Sequence, residues 1–171
     1  LDRPTGGVMV YAKTSKAAAR LSEGMQTGEF EKKYLTVLCG TPDSARGTLC
    51  NYLRKNTVNN MVYICTPSEE GAKYAELDFR VVEDKTKYSL VEVRLHTGRT
   101  HQIRVQMAGI SHPLFGDMRY GGALAQKGKL ALWAYCLSFL HPITKERMRF
   151  IACPPETETP WKAFALRAHC G

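Results

Sequence analysis

No run of apolar residues in this 171-residue chain approaches the roughly 20 needed to cross a bilayer. No charged-then-apolar leader precedes its first apolar stretch either, so a soluble, non-secreted, cytoplasmic protein is expected, with no membrane partner. The six cysteines, at positions 39, 50, 65, 136, 153 and 170, include no C-x-x-C pair. The five histidines, His96, His101, His112, His141 and His169, are scattered among different segments. A zinc site or a disulfide framework is therefore not expected, and reduced thiols are. Repeats, low-complexity tracts and linkers are missing, which leaves one domain over residues 1–171. Acidic residues are scarce: 16 against 24 basic ones, a net charge of +8. That imbalance favours a polyanion partner, most simply RNA or DNA. The apolar share of 44% is ordinary and, at this length, enough for a real core.

What is present is strand-rich. Val8–Ala12 reads as a buried strand. Ser15 is a plausible N-cap for a helix carrying Ala18, Leu21 and Met25 on one face, closed by Gly28. Tyr34–Cys39 reads as a strand, Arg46–Asn60 is polar and ambiguous, and Met61–Cys65 is a short strand. Leu77, Phe79 and Val81 alternate with Glu76, Asp78 and Arg80; after a turn at Asp84–Lys87 the alternation resumes over Tyr88–Leu95, so the pair predicts a β-hairpin. Thr100 is placed to cap a short helix that ends at Gly109, and a glycine-rich loop follows from Pro113 to Gly122. Two further strands, Leu130–Leu140 and Arg147–Cys153, flank a turn at His141–Lys145. Thr159-Pro160 would start a last amphipathic helix with Trp161, Phe164 and Ala168. Hairpin-linked strands with interspersed helices indicate an α+β fold on a mainly antiparallel, mixed sheet flanked by helices.

Two segments concentrate groups able to do chemistry. The first is Leu1-Asp2-Arg3-Pro4-Thr5-Gly6-Gly7, where Pro4 and the glycines rule out regular structure and set Asp2 on a turn. Such an aspartate caps backbone amides, or it is presented for reaction. The second is Leu95-His96-Thr97-Gly98-Arg99-Thr100-His101-Gln102-Ile103-Arg104, where a strand gives way to a helix. With the helix starting at Thr100, His101, Arg104 and Ala108 share one face while Ile103 and Met107 anchor the other. A solvated, conventionally capped helix face would look the same.

Taken together, the aspartate turn, Lys33-Tyr34, the Gly-Arg-Thr-His-Gln-Ile-Arg run, Pro113-Leu114-Phe115-Gly116-Asp117, Tyr120-Gly121 and Leu137–Thr144 resemble the RluA/RluD family of pseudouridine synthases over essentially the whole chain. The resemblance implies a pseudouridine synthase-like fold with its active-site cleft across the sheet, and isomerisation of uridines in structured RNA, rRNA or tRNA. It places Asp2 at the catalytic aspartate, Tyr34 at the residue whose ring stacks on the target base, and Arg104 at the arginine paired with the aspartate. A phenol at Tyr34 could also take the C5 proton. Arg3, Lys32, Lys33, Arg99, His101, Gln102 and Arg119 are the expected RNA contacts. The reaction is redox-neutral and needs no group carrier, so neither cofactor nor metal is expected, and a monomer is.

The same resemblance carries departures. The family signature opens His-Arg-Leu-Asp, preceded by a strand region usually bearing Lys-Pro-x-Gly, whereas this chain opens at the leucine. Gly6 stands where serine is common, and Gln106 and Trp133 where histidine is. A catalytic domain lacking its first strands, and with little or no activity by itself, is the expectation. A non-catalytic RNA-binding module on the same fold is the rival, with a basic structural protein the third possibility.

Overall fold

The computed structural model describes residues 1–170. Among them run strand β1 (Gly6–Gly7), helix α1 (Ser15–Gln26), strands β2 (Glu31–Cys39), β3 (Arg46–Lys55), β4 (Val62–Cys65), β5 (Lys73–Lys85) and β6 (Tyr88–Leu95), helix α2 (Gln102–Gly109), and strands β7 (Leu132–Leu140) and β8 (Arg147–Ile151). The strands form one sheet in the order β1-β7-β2-β6-β5-β3-β4, with β8 also on β7. Every pairing is antiparallel except β1 with β7. This is the mainly antiparallel, mixed α+β arrangement that the alternation predicts. Among the described residues no helix is long and apolar enough to cross a membrane.

Alternation along the central strands divides the core between two faces. Tyr34 and Leu38 of β2 join Val91 and Val93 of β6 and Leu77 of β5 on one face, where Ile103 and Met107 of α2 close over them. Leu35 and Val37, with Leu90, form the other face, covered by Trp161, Phe164 and Leu166 near the C-terminus. The cleft belongs to the first face, at the end where α2 begins.

Several local expectations need correction. Arg46–Asn60 contains a ten-residue strand, β3, held between β5 and β4 despite its polar sequence. Thr14, not Ser15, is the N-cap of α1, its Oγ1 accepting from the Ala17 amide at 3.2 Å. Val8–Ala12 is not a buried strand. Val8 donates one further bond to Ala134 O at 2.8 Å, and the chain then leaves the edge, so that Tyr11 is 79% exposed. The edge of β7 explains this. Its next carbonyl, that of Tyr135, already accepts from the Ala152 amide, and β8 pairs from Cys136 onward. The last helix is instead two short 3₁₀ turns, Trp161–Ala163 and Leu166–Ala168, joined through an extended Phe164. On an α-helix Trp161 and Leu166 would point about 140° apart; unwinding lets both reach the sheet.

Helix α2 also departs from its pattern. It begins at Gln102, and His101, not Thr100, occupies the cap, with φ 52° and ψ 19° and no side-chain cap bond. Its residues 102–107 are buried all round, so there is no solvated face. The polar ones among them are tied down. Gln106 Nε2 donates to Leu49 O at 3.0 Å and Asn51 Oδ1 at 2.8 Å.

Candidate active site

The Asp2 turn is fixed by its backbone. The Thr5 amide donates to Asp2 O at 2.8 Å, and the chain then enters β1 through Gly6 and Gly7. Gly7 has φ +116°, and a Cβ there would stand 2.2 Å from Ala134 O. At Gly6 a Cβ would meet the Trp133 ring, also at 2.2 Å. Only glycine permits this approach, which brings the turn against β7.

Arg104 projects from the first turn of α2 and is almost wholly buried. Its Nη1 donates to Asp2 Oδ2 at 3.4 Å, joining residues 102 positions apart. Its main partner is another carboxylate. Asp117 takes the guanidinium bidentately, Nε to Oδ2 at 2.7 Å and Nη2 to Oδ1 at 2.8 Å. Asp117 Oδ1 also accepts from the Arg119 and Tyr120 amides, at 3.1 Å each, so the loop is folded around that carboxylate. Burial opposes the Arg104 cation, but the hydrogen bonds and charge of Asp117, with Asp2, outweigh it and raise its pKa above the ordinary arginine value.

Tyr34, on β2, lines the same cleft and is 8% exposed. Burial, then the Asp2 charge, pushes its phenol up, so it stays protonated at neutral pH. His101 completes the wall. Its Nε2 lies 3.8 Å from Asp2 Oδ2 and its Nδ1 2.7 Å from the Tyr120 hydroxyl. Desolvation depresses its pKa, against the pull of Asp2 and with the push of Arg104 and Arg119. A depressed folded value means that the unfolded chain takes up the proton first. Neutral His101 thus contributes stability that is complete above its ordinary 6.5 and is lost as the pH falls through the lower folded value. The cleft enclosed by these groups measures about 540 Å³ and opens past Lys32 and Arg99.

The expected RNA contacts divide. Arg3, Arg99 and Arg119 are exposed. Arg99 Nε is held by Tyr74 O at 2.8 Å, and Arg119 Nη1 by Asn60 O at 3.3 Å. Lys32 faces the cleft, and burial lowers its pKa. Lys33 does not share that face. The strand alternation turns it to the other side of the sheet, beside Arg46 and Arg94 and 3.5 Å from Glu31. Gln102 is a brace: it is 2% exposed, its Oε1 accepts from the Arg99 amide and Thr97 hydroxyl at 2.9 Å each, and its Nε2 donates to Glu76 O at 3.0 Å. Its amide is spent on the Gly98-Arg99 turn.

Asp117 and Tyr120 are the site residues that sequence reasoning left without a role. The available signal for Asp117 was a lone carboxylate in a glycine-rich loop of an acid-poor chain, close to a guanidinium that needed neutralising. Among the described residues no group of three His, Cys, Asp or Glu side chains is placed to hold a metal ion.

The chain as a whole is similar to known proteins. A family model described as RNA pseudouridylate synthase matches residues 1–109. The "Uncharacterized RNA pseudouridine synthase YjbO" of Bacillus subtilis is 38% identical over 156 residues, covering 91% of this chain and 54% of that protein. The "Ribosomal large subunit pseudouridine synthase D" of Vibrio cholerae is 35% identical over 170 residues, covering 91% and 51%. The chain thus spans about half the length of the curated relatives it matches. The fold agrees with that of human RNA pseudouridylate synthase domain containing 4, with a TM-score of 0.77 at 23% identity over 91% of this chain and 69% of that one. With the family model matching residues 1–109 and a relative 38% identical over 91% of the chain, this chain belongs to the RNA pseudouridylate synthase family.

Proposed function

We propose that this chain isomerises uridine to pseudouridine within structured RNA, rRNA or tRNA, with Asp2 as the catalytic residue. The observation that carries this reading is the Asp2 carboxylate, held 3.4 Å from a buried guanidinium and beside Tyr34 in an open cleft with a cationic mouth. In the reaction the C1′–N1 bond breaks and a C1′–C5 bond forms; C5 loses a proton and N1 gains one, so the product is an isomer. Breaking the glycosidic bond develops positive charge on the ribose, which an aspartate stabilises or attacks. Arg104 orients that aspartate through the Nη1 contact to Oδ2. A stacked base is out of reach, so it must be turned into the cleft and held on an aromatic face. Tyr34 offers its ring for this; as a protonated phenol it is a poor acceptor for the C5 proton.

The cationic mouth is assigned to phosphates. Lys and Arg contacts release counterions, so affinity for RNA is expected to fall steeply with salt. Arg99→Glu or Arg119→Glu should weaken binding to many RNAs alike, and each should flatten the log–log salt slope by about 1. A slope unchanged in both variants would assign the phosphates elsewhere.

The reaction itself is tested by tritium release from RNA carrying [5-³H]uridine, using the protein expressed from its own gene. Release matched by pseudouridine in the product supports the reading. RNA binding without release, in preparations that bind tightly, would leave the non-catalytic RNA-binding module.

A further inference from the structure

The cleft contains a device that the reaction as described does not use. Tyr120 hydroxyl oxygen accepts from the Val62 amide at 3.0 Å. Its own proton then needs an acceptor, and His101 Nδ1 lies 2.7 Å away. A Tyr120 hydroxyl that donates to Nδ1 fixes the neutral imidazole as the Nε2–H tautomer. Nε2 faces Asp2, 3.8 Å from Oδ2. That is the same oxygen Arg104 Nη1 approaches at 3.4 Å, while among the described residues no hydrogen bond reaches Oδ1. Both contacts are long, as catalytic hydrogen bonds commonly are before substrate tightens them.

The backbone carries a second sign. His101 is one of four non-glycine residues with positive φ among the described residues, and of those four it alone lines the cleft. A left-handed conformation is costly for a residue with a Cβ and is retained where the surroundings enforce it, most often at functional sites. Here it points the ring back between Tyr120 and Asp2 where a helical φ would start α2 one residue earlier.

Resting on the proposed reaction, we propose that His101 is a positioning residue: oriented by Tyr120, its Nε2–H holds Asp2 Oδ2 together with Arg104 and leaves Oδ1 as the oxygen that meets the ribose. The assignment is the same whether that oxygen attacks C1′ or removes a sugar proton, since either needs an unencumbered oxygen aimed at the substrate.

Two substitutions separate positioning from folding. The amide nitrogen of His101→Gln can reach where Nε2 stands and still donate to Asp2. That of His101→Asn is shorter and stands nearer Nδ1, but asparagine accepts the left-handed backbone more readily. Stability is therefore expected to favour Asn, whereas kcat is expected to favour Gln. His101→Asn should lower kcat roughly 10- to 100-fold with KM little changed, and Gln should recover much of it. Nitrogen-15 NMR of the parent should show His101 as the Nε2–H tautomer at neutral pH, and Tyr120→Phe should mix the two tautomers. An Nδ1–H tautomer in the parent, or kcat following stability so that Asn exceeds Gln, would overturn the proposal. A parent that releases no tritium would defeat the reading of function, and this inference with it; a parent that turns over with the order reversed would defeat this inference alone.

Discussion

Asp2→Asn, in the protein expressed from its own gene, is expected to abolish tritium release, by at least about 10⁴-fold, as loss of a nucleophile typically does. The amide keeps the shape of the carboxylate but is a poor nucleophile and cannot offset positive charge at C1′. The fold should tolerate the change. What holds the turn is the Thr5 amide on the Asp2 carbonyl and the glycine approach to β7, and neither involves the side chain. Arg104 is not stranded, because Asp117 remains bidentate on it. With the Asp2 side chain 22% exposed, the lost ion pair should cost about 1 kcal/mol or less. RNA affinity should match the parent. Turnover at the parental rate would remove Asp2 from the mechanism.

Asp117→Asn is expected to do the opposite, damaging stability first and activity through it. Asp117 is 1% exposed and is the principal counterion of a buried guanidinium. Removing one partner of a buried pair costs about 3–5 kcal/mol because the other charge stays behind without compensation. Against the roughly 5–15 kcal/mol that holds a domain together, that is a large share. The asparagine oxygen can still accept from the Arg119 and Tyr120 amides, so the loop is not lost outright. Arg104, freed from its bidentate grip, would be drawn toward Asp2, and turnover should fall as well. Urea unfolding measures the first effect and tritium release the second. A midpoint within experimental error of the parent would show that water already compensates Arg104.

The two results differ because two kinds of residue make up the site, and these differed in how legible they were. Asp2, Tyr34 and Arg104 were expected together from the family resemblance of the motifs that carry them, and all three line one cleft. The β5–β6 hairpin was equally readable from alternation alone. Asp117 was not, because its role depends on an arginine thirteen residues earlier turning inward, a tertiary fact. Lys33 and Gln102, both expected at RNA, show a related effect. Lys33, next to Tyr34 in sequence, is turned by the strand to the opposite face of the sheet, and the amide of Gln102 is bonded to the backbone around it. The exit of Val8–Ala12 from the sheet was likewise invisible locally, since it is decided by which segment occupies the outer edge of β7. Strand β3 shows the converse: a polar run with little pattern of its own becomes regular because strands on both sides supply its hydrogen bonds.

The complete burial of α2 bears on how substitution data for this stretch should be interpreted. From Gln102 to Met107 each side chain is enclosed, and Gln102, Arg104 and Gln106 are each tied by hydrogen bonds to neighbouring segments. A mutational scan would find almost every position intolerant, with no outward-facing residue to supply the usual periodic relief. Intolerance there would thus not distinguish a residue that touches RNA from one that holds β3 or the Gly98-Arg99 turn in place. Only assays that score folded protein and turnover separately would sort the helix into its two trades, and they should find Gln102 and Gln106 on one side and Arg104 on both.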